Sequence, residues 1–137
     1  MFSITKEIAF CYGHRLIKHP GKCRHIHGHS VKAAITIKAS RLDHQGMVCD
    51  FSQIKKVAKI YIDKHFDHNL LLHRDDPIIP LLQNAGEKYL ALDQHPTAEN
   101  LSQLLFQHFK TQGFDILKVT LWETASAYAC YQEETMA

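Results

Sequence analysis

The stretch HGHSVKAAITIKAS, residues 27–40, alternates between apolar and polar side chains along most of its length. Successive residues of a β-strand point to opposite faces of the sheet, so this alternation predicts a half-buried strand. His27 and His29 have the same parity as the apolar residues and therefore extend the inward face. The apolar residues of that face are Val31, Ala33, Ile35, Ile37 and Ala39.

A second stretch of alternating apolar and polar residues lies at residues 2–14, with Lys6 as its one exception. It ends in His14, which has the same parity as the apolar residues. If the two predicted strands are neighbours, His14, His27 and His29 converge at one end of the interior. Three neutral imidazoles with a fourth position left open are typical of a catalytic zinc site. A lone inward histidine is more commonly a hydrogen-bonded core residue, and for His14 taken alone this alternative stays open.

A turn is predicted at residues 43–46 and a short strand over 47–51. After them the spacing of the apolar residues changes from that of a strand to that of a helix. Apolar spacing then predicts a helix that Asp50 or Ser52 caps. Its inward face is formed by Ile54, Val57, Ala58, Tyr61 and His65.

Residues 66–96 have the weakest pattern: a short helix is expected after Pro77 and an extended segment over 89–92. A second main helix is predicted from Thr97 to Gly113, and two closing strands over 116–123 and 127–132. The order of elements predicts an α+β fold, with an antiparallel sheet and two main helices packed on one face.

Length and composition restrict the class of protein. A chain of 137 residues suits a single domain spanning 1–137, and a net charge of +2 argues against a nucleic-acid partner. No apolar run approaches the ~20 residues of a membrane span. The charged N-terminus does not resemble a signal peptide, and the four scattered cysteines show no disulfide spacing. We therefore expect a protein of the reducing cytoplasm.

Further candidate groups have side chains suited to proton transfer or ligand binding. Cys23 lies between Lys22 and Arg24, and neighbouring cations favour a thiolate. Asp67 and His68 are adjacent and could form an acid–base relay, although such dipeptides in loops usually have no function.

Glu123 has the inward parity of Leu117, Val119 and Leu121. A carboxylate on an inward face is costly unless it has a partner. That partner could be a structural N–H group or an arginine, or it could be a ligand with adjacent N–H donors.

Taken together, these segments resemble the family of 6-pyruvoyltetrahydropterin synthase and 6-carboxytetrahydropterin synthase (QueD). The resemblance covers essentially the whole chain, and the combination of motifs is specific although no single motif is. The motifs, in order, are FCYGHRL, KCRHIHGHS, GMVCDFSQIKK, FDHNLLL, PTAENL and WET.

The resemblance implies a T-fold, whose subunits assemble through their sheets into an oligomeric barrel, usually a hexamer of two trimers with active sites between subunits. It also implies roles for particular residues. Three histidines would hold Zn²⁺. A cysteine thiol and an Asp–His relay would catalyse the reaction. A third group of residues would line the pterin pocket, where Glu123 would anchor the ring. The corresponding positions are His14, His27 and His29 for zinc, Cys23, Asp67 and His68 for catalysis, and Glu123, Thr97 and Glu99 for substrate.

The family acts on 7,8-dihydroneopterin triphosphate. One branch eliminates triphosphate to give 6-pyruvoyltetrahydropterin. The other also releases acetaldehyde and leaves 6-carboxytetrahydropterin, a precursor of queuosine and other 7-deazapurines. Three residues separate Cys23 from His27, a spacing that resembles the carboxy-forming branch. The pyruvoyl-forming reaction and a non-catalytic zinc-stabilised binding module are the alternatives.

The chain departs from the family pattern at a few positions. Tyr12 and Gly13 stand where alanine or serine is common, Val31 replaces an aromatic residue, and the segment after Asn69 is longer. These changes could alter the shape of the pocket, but they leave the proposed zinc ligands and acid–base groups in place.

Overall fold

The computed structural model describes residues 1–134, which form a six-stranded sheet, three α-helices and a short 3₁₀ turn. The strands are β1 Phe2–His14, β2 His27–Ala39, β3 Asn69–His73, β4 Leu90–Leu92, β5 Ile116–Trp122 and β6 Tyr128–Tyr131. The helices are α1 Phe51–His65, α2 Ile79–Ala85 and α3 Ala98–Thr111, and the 3₁₀ turn is Lys22–Arg24.

The sheet has the strand order β4-β3-β1-β2-β5-β6. Its larger part is antiparallel: β1 pairs with β2 from Phe2 opposite Ala39 to His14 opposite His27, and β5 and β6 continue beyond β2. On the other side β3 runs parallel to β1, and β4 runs parallel to β3. The α+β class is confirmed, but the sheet is mixed where an antiparallel one was predicted. Parallel neighbours need a crossover connection, and the connection between the parallel strands β3 and β4 contains α2.

Two local predictions fail between residues 47 and 73. No strand forms over 47–51, because Phe51 already begins α1 and the Asp50 carboxylate accepts the N–H of Ser52 at 2.8 Å as the helix cap. Strand β3 was not predicted from its sequence, NLLLH, which has no alternation. A continuous apolar run is typical of a strand covered on both faces, and Leu71 and Leu72 are fully buried.

Helices α1 and α3 cover the apolar face of the sheet, as predicted, and α2 is the short helix expected after Pro77. On α1 the predicted face buries Ile54 and Ala58 completely. On α3 it buries Leu101, Leu105 and Phe109 completely. Within residues 1–134 we find no helix with the length and apolar character that crossing a membrane requires.

Candidate functional site

The three predicted metal ligands meet at one end of the sheet. Strand register places His14 opposite His27 and Tyr12 opposite His29, so the histidines share the inward face. The Nε2 atom of His14 lies 3.1 Å from that of His27 and 3.2 Å from that of His29. His14 is 2% exposed, and the other two rings are partly buried. The convergence follows directly from the pairing of β1 with β2.

Backbone carbonyls fix the tautomers of two of these rings. His14 Nδ1 donates to the Pro96 carbonyl at 2.6 Å, and His27 Nδ1 donates to the His25 carbonyl at 2.7 Å. A carbonyl oxygen only accepts, so the proton lies on Nδ1 and Nε2 presents a lone pair. Two facing lone pairs 3.1 Å apart repel each other unless a cation lies between them.

These residues fit a bound zinc ion. Zn–N bonds of about 2.0–2.1 Å in a tetrahedron put the nitrogens about 3.3 Å apart, close to the separations observed here. Burial lowers the pKa of His14, which favours the neutral form that binds metal. The carbonyls that orient His14 and His27 are the outer partners that metal-bound histidines usually have.

Gly28, between the two histidines of β2, lies very close to the backbone of β1. A Cβ atom at this position would lie 3.2 Å from the carbonyl oxygen of Tyr12 on the neighbouring strand. Its side chain would point away from the imidazoles, because adjacent residues of a strand face opposite ways. Gly28 therefore permits the close approach of β1 and β2 that brings the histidines together.

Glu123 follows the last residue of β5 and reaches the histidine cluster. Its Oε1 atom lies 3.3 Å from His29 Nε2, and the side chain is 29% exposed. The backbone N–H of Glu123 donates to the Ala127 carbonyl, which holds the turn between β5 and β6. The inward parity of this carboxylate therefore places it beside the candidate metal ligands.

Tyr12 adds a group that was not recognised as functional in the sequence. Its ring packs edge-on against His14, with centroids 5.1 Å apart, and its hydroxyl is buried without a hydrogen-bond partner among residues 1–134. Burial, and next the negative charge of Glu123, raise the pKa of Tyr12, so the hydroxyl stays protonated. In the sequence, Tyr12 has the same parity as His14, which indicated that its side chain lies on the same inward face.

The segment before α3 closes one side of the cluster. Pro96 contributes the carbonyl that orients His14, and the Thr97 side chain caps α3 by accepting the N–H of Asn100 at 3.2 Å. Glu99 lies in the first turn of α3, and its charge contributes to the raised pKa of Tyr12. Thr97 therefore follows directly the residue whose carbonyl orients His14, and Glu99 lies two residues further along.

Asp67 and His68 form the predicted pair in the turn between α1 and β3. Asp67 Oδ2 lies 3.0 Å from His68 Nδ1, while Oδ1 accepts the Cys11 N–H at 3.0 Å. That N–H, and also the hydrogen bond and charge of His68, lower the pKa of Asp67. His68 has φ = 54°, an unusual conformation for a residue with a side chain. Strained positions of this kind cluster at functional sites.

The pair does not lie with the three histidines. Cys11 Sγ is 3.7 Å from both ring nitrogens of His68, and Cys11 has the opposite parity to Tyr12 and His14 on β1. The Asp67–His68 pair therefore lies on the other face of the sheet, beside a cavity of about 800 Å³ that Lys32 also lines. Cys11 is the thiol that contacts His68 in the described chain.

Cys23 lies in the 3₁₀ turn Lys22–Arg24 between β1 and β2. Its carbonyl accepts the Leu16 N–H at 2.9 Å, which ties the loop back to the end of β1. Its thiol is partly exposed, and no hydrogen bond within residues 1–134 joins it to the histidine cluster or to Asp67 and His68. One chain thus holds the predicted site residues in three separate places.

The fold and the cluster together define an α+β protein with a three-histidine centre at one end of a mixed sheet. Residues 3–134 match the family model described as 6-pyruvoyl tetrahydropterin synthase. The chain belongs to this family, and its fold is the family's T-fold.

Individual relatives agree with this assignment. The chain is 40% identical to a 6-carboxy-5,6,7,8-tetrahydropterin synthase of Rickettsia typhi, over 93% of this chain and 98% of the relative. It is 33% identical to the protein of that name from Haemophilus influenzae, over 97% and 100% of the two chains.

Two solved structures share the fold. A protein from Wolinella succinogenes superposes with a TM-score of 0.81 at 24% identity, over 97% of this chain and 98% of that one. The 6-pyruvoyl tetrahydropterin synthase of Caenorhabditis elegans superposes with a TM-score of 0.72 at 20% identity, over 97% and 96%. At these identities the likeness supports the fold alone.

Proposed function

We propose that this protein is a zinc-dependent 6-carboxy-5,6,7,8-tetrahydropterin synthase. With one molecule of water, it converts 7,8-dihydroneopterin triphosphate to 6-carboxytetrahydropterin and releases acetaldehyde and triphosphate. The observation that carries the proposal is the convergence of three imidazoles beside the carboxylate of Glu123, with the Nε2 atoms of His27 and His29 lying 3.1 and 3.2 Å from that of His14. The names of relatives at 33–40% identity support the carboxy-forming reaction, as does the short spacing from Cys23 to His27.

Glu123 and the segment before α3 are proposed to hold the pterin. A carboxylate matches the paired N–H groups of the guanidine-like edge of the ring, and such charge-assisted bonds are strong and directional. Its position beside His29 would bring the substrate side chain to the three imidazoles. Thr97 and Glu99 would line the same pocket from the start of α3.

The metal and the thiol supply the chemistry. A zinc ion bound by His14, His27 and His29 would act as a Lewis acid toward oxygens of the substrate side chain. Cys23, as thiolate, is proposed to take a proton from the substrate. His68, held by Asp67, would give or take the second proton.

The proposed site needs more than one chain. Asp67 and His68 lie on the sheet face opposite to the histidine cluster, so they cannot serve the cluster of their own chain without crossing the sheet. We propose that they act in the site of a neighbouring copy, within a homo-oligomer that is a hexamer of two trimers. Their cavity of about 800 Å³ then lies at a subunit boundary.

One incubation tests the reaction. Zinc-loaded protein is mixed with 7,8-dihydroneopterin triphosphate, and acetaldehyde, triphosphate and the pterin product are measured together. Acetaldehyde in a one-to-one ratio with 6-carboxytetrahydropterin is expected. Triphosphate with a pyruvoyl product and no acetaldehyde would identify the other branch instead. Zinc binding without any turnover would indicate a binding module.

A further inference from the structure

A second group of metal-ligating side chains lies on the sheet face opposite to the histidine cluster. Cys11 on β1 meets Asp67 and His68 in the turn between α1 and β3, and their ligand atoms all lie within 4.8 Å of one another. A sulfur, a ring nitrogen and a carboxylate oxygen thus converge from two separate parts of the chain. The proton-transfer role proposed for Asp67 and His68 makes no use of this sulfur.

Hydrogen bonds of the backbone hold the three side chains next to one another. The N–H of Cys11 donates to Asp67 Oδ1 at 3.0 Å, and the N–H of His68 donates to the Cys11 carbonyl at 2.8 Å. Cys11 itself is fixed within β1, where it pairs with Ser30 of β2. His68 has φ = 54°, a conformation that costs free energy for a residue with a side chain, and its ring then lies beside Cys11 Sγ. The main chain therefore positions this group.

The separations of the ligand atoms suit an ion such as zinc. His68 Nδ1 lies 3.7 Å from Cys11 Sγ and 3.0 Å from Asp67 Oδ2. Tetrahedral zinc, with Zn–S bonds of about 2.3 Å and Zn–N and Zn–O bonds of about 2.0–2.1 Å, puts sulfur and nitrogen about 3.6 Å apart and nitrogen and oxygen about 3.3 Å apart. A rotation of the His68 side chain, which is 80% exposed, is enough to remove these small differences.

The types of ligand select among cations. A thiolate is a soft ligand that zinc and cadmium bind, whereas magnesium and calcium prefer oxygen ligands alone. The Cys11 thiolate and the Asp67 carboxylate together carry two negative charges, which balance a divalent cation. The group borders the cavity of about 800 Å³, which leaves room for a fourth ligand such as water. This ligand set differs in charge and softness from the three imidazoles of the histidine cluster.

We propose that Cys11, Asp67 and His68 form a second binding site, specific for zinc or cadmium, which fills when the ion is in excess over the histidine cluster. The exposed His68 ring must become ordered to bind, so this site is expected to be the weaker of the two. An ion there engages the carboxylate and the imidazole that are proposed to transfer a proton, and it should therefore inhibit turnover. Only this inhibitory step rests on the proposed function.

The first test uses cadmium chloride and needs no pterin. A thiolate that binds cadmium gives an ultraviolet charge-transfer band, whereas the imidazoles of the histidine cluster give none. Titration of the reduced wild type should produce a saturable band that corresponds to one cadmium–sulfur bond per chain. Cys11→Ser should lose this band, and Cys130→Ser, which changes an exposed thiol on β6, should keep it. A band of full size in Cys11→Ser overturns the proposed site.

A second variant separates this site from a thiol that binds cadmium by itself. Asparagine adopts positive φ more readily than most residues, so His68→Asn should keep the fold. Because even the loss of an outer partner of a metal ligand costs about 10–100-fold in affinity, loss of the imidazole should weaken cadmium binding at least about tenfold. His44→Asn, which changes an exposed histidine elsewhere, is the matched control. Equal affinity of His68→Asn and the wild type would indicate an adventitious thiol complex only and would overturn the three-ligand site.

The inhibitory step is tested with zinc. Turnover of 7,8-dihydroneopterin triphosphate is measured as zinc rises above one equivalent per chain, and the wild type should lose most of its rate. Cys11→Ser, compared with its own rate at one equivalent, should need at least about tenfold more free zinc for the same loss. Equal inhibition of both proteins overturns the inhibitory step. Absence of turnover by the wild type at one equivalent overturns the proposed function, while the cadmium titrations still decide the metal site.

Discussion

Arg15 and Asp76 form an ion pair that joins the end of β1 to the loop before α2. Arg15 Nε donates to Asp76 Oδ2 at 2.8 Å, and a second guanidinium nitrogen bonds the other oxygen. The Asp76 side chain is fully buried, whereas that of Arg15 is 21% exposed. The N–H of Ile78 also donates to Asp76 at 2.9 Å. Because Arg15 follows His14 directly, the pair holds the chain where it leaves the histidine cluster.

Replacing Arg15 with methionine should destabilise the protein by about 2–4 kcal/mol, because it leaves a buried carboxylate without its cation. Urea unfolding measures the change. Lys18→Met is the matched control, since Lys18 is exposed in the same loop and should change stability by less than about 0.5 kcal/mol. Equal stability of Arg15→Met and the wild type would show that the pair contributes nothing.

The same pair has a definite pH dependence. Burial acts to raise the pKa of Asp76, but the hydrogen bonds from Arg15 and from the Ile78 N–H, together with the charge of Arg15, outweigh it and the net pKa is lowered. A lowered pKa gives stability that is present above the unfolded value of about 3.9 and is lost as pH falls through the folded value. The difference in unfolding free energy between the wild type and Arg15→Met should therefore shrink below about pH 4, as measured by urea titrations at several pH values.

Strands β1 and β2 were predictable because their alternation is long and has one inward face. The parity of His14, His27 and His29 was enough to bring their side chains together, since β1 and β2 are neighbours in the sheet. Strand β3 could not be predicted, because its run of apolar residues is short and does not alternate with polar ones. Without β3, the parallel part of the sheet could not be predicted either.

The position of the Asp67–His68 pair depended on that missing strand. The pair lies in the turn that leads into β3, and its face of the sheet follows from its bond to Cys11, a long-range contact that no local pattern encodes. The buried hydroxyl of Tyr12 could not be predicted to lack a hydrogen-bond partner either. Parity shows that a side chain points inward, but it does not show whether the polar atom of that side chain has a partner.

Two further histidines give a pH prediction outside the site. The rings of His65 and His108 pack against Tyr61, with centroids 4.6 and 4.3 Å away. Burial lowers the pKa of both, and a nearby positive charge adds to the effect on each. A histidine with a lowered pKa gives stability that is present above its unfolded value of about 6.5 and is lost as pH falls through the folded value.

The Tm of metal-free protein should therefore fall between about pH 7.5 and pH 5.5. It should fall less steeply in His108→Gln, which has no proton to bind there. His44→Gln is the control, because His44 is exposed and belongs to no ring cluster in residues 1–134. Identical slopes in the wild type and His108→Gln would rule out a contribution from this cluster.

Metal content tests the histidine cluster directly. Purified protein should contain about one zinc per chain, and His29→Ala should lose it, because two imidazoles hold zinc much more weakly than three. His44→Ala should keep it. Removing zinc from the wild type with a chelator should lower Tm, since an ion that binds the folded state stabilises that state. Full zinc content in His29→Ala would show that the metal is held elsewhere.

The role of Cys23 separates the proposed enzyme from a zinc-stabilised module. Cys23→Ala should keep zinc, Tm and neopterin binding, because the thiol makes no hydrogen bond that the fold needs in the described chain. Its turnover of 7,8-dihydroneopterin triphosphate should fall at least about 100-fold, the usual effect of losing a proton-transfer group. Cys130→Ala, which changes an exposed thiol on β6, should retain wild-type turnover. If Cys23→Ala turns over at the wild-type rate, another group must take the proton, and Cys11 beside His68 becomes the thiol to replace next.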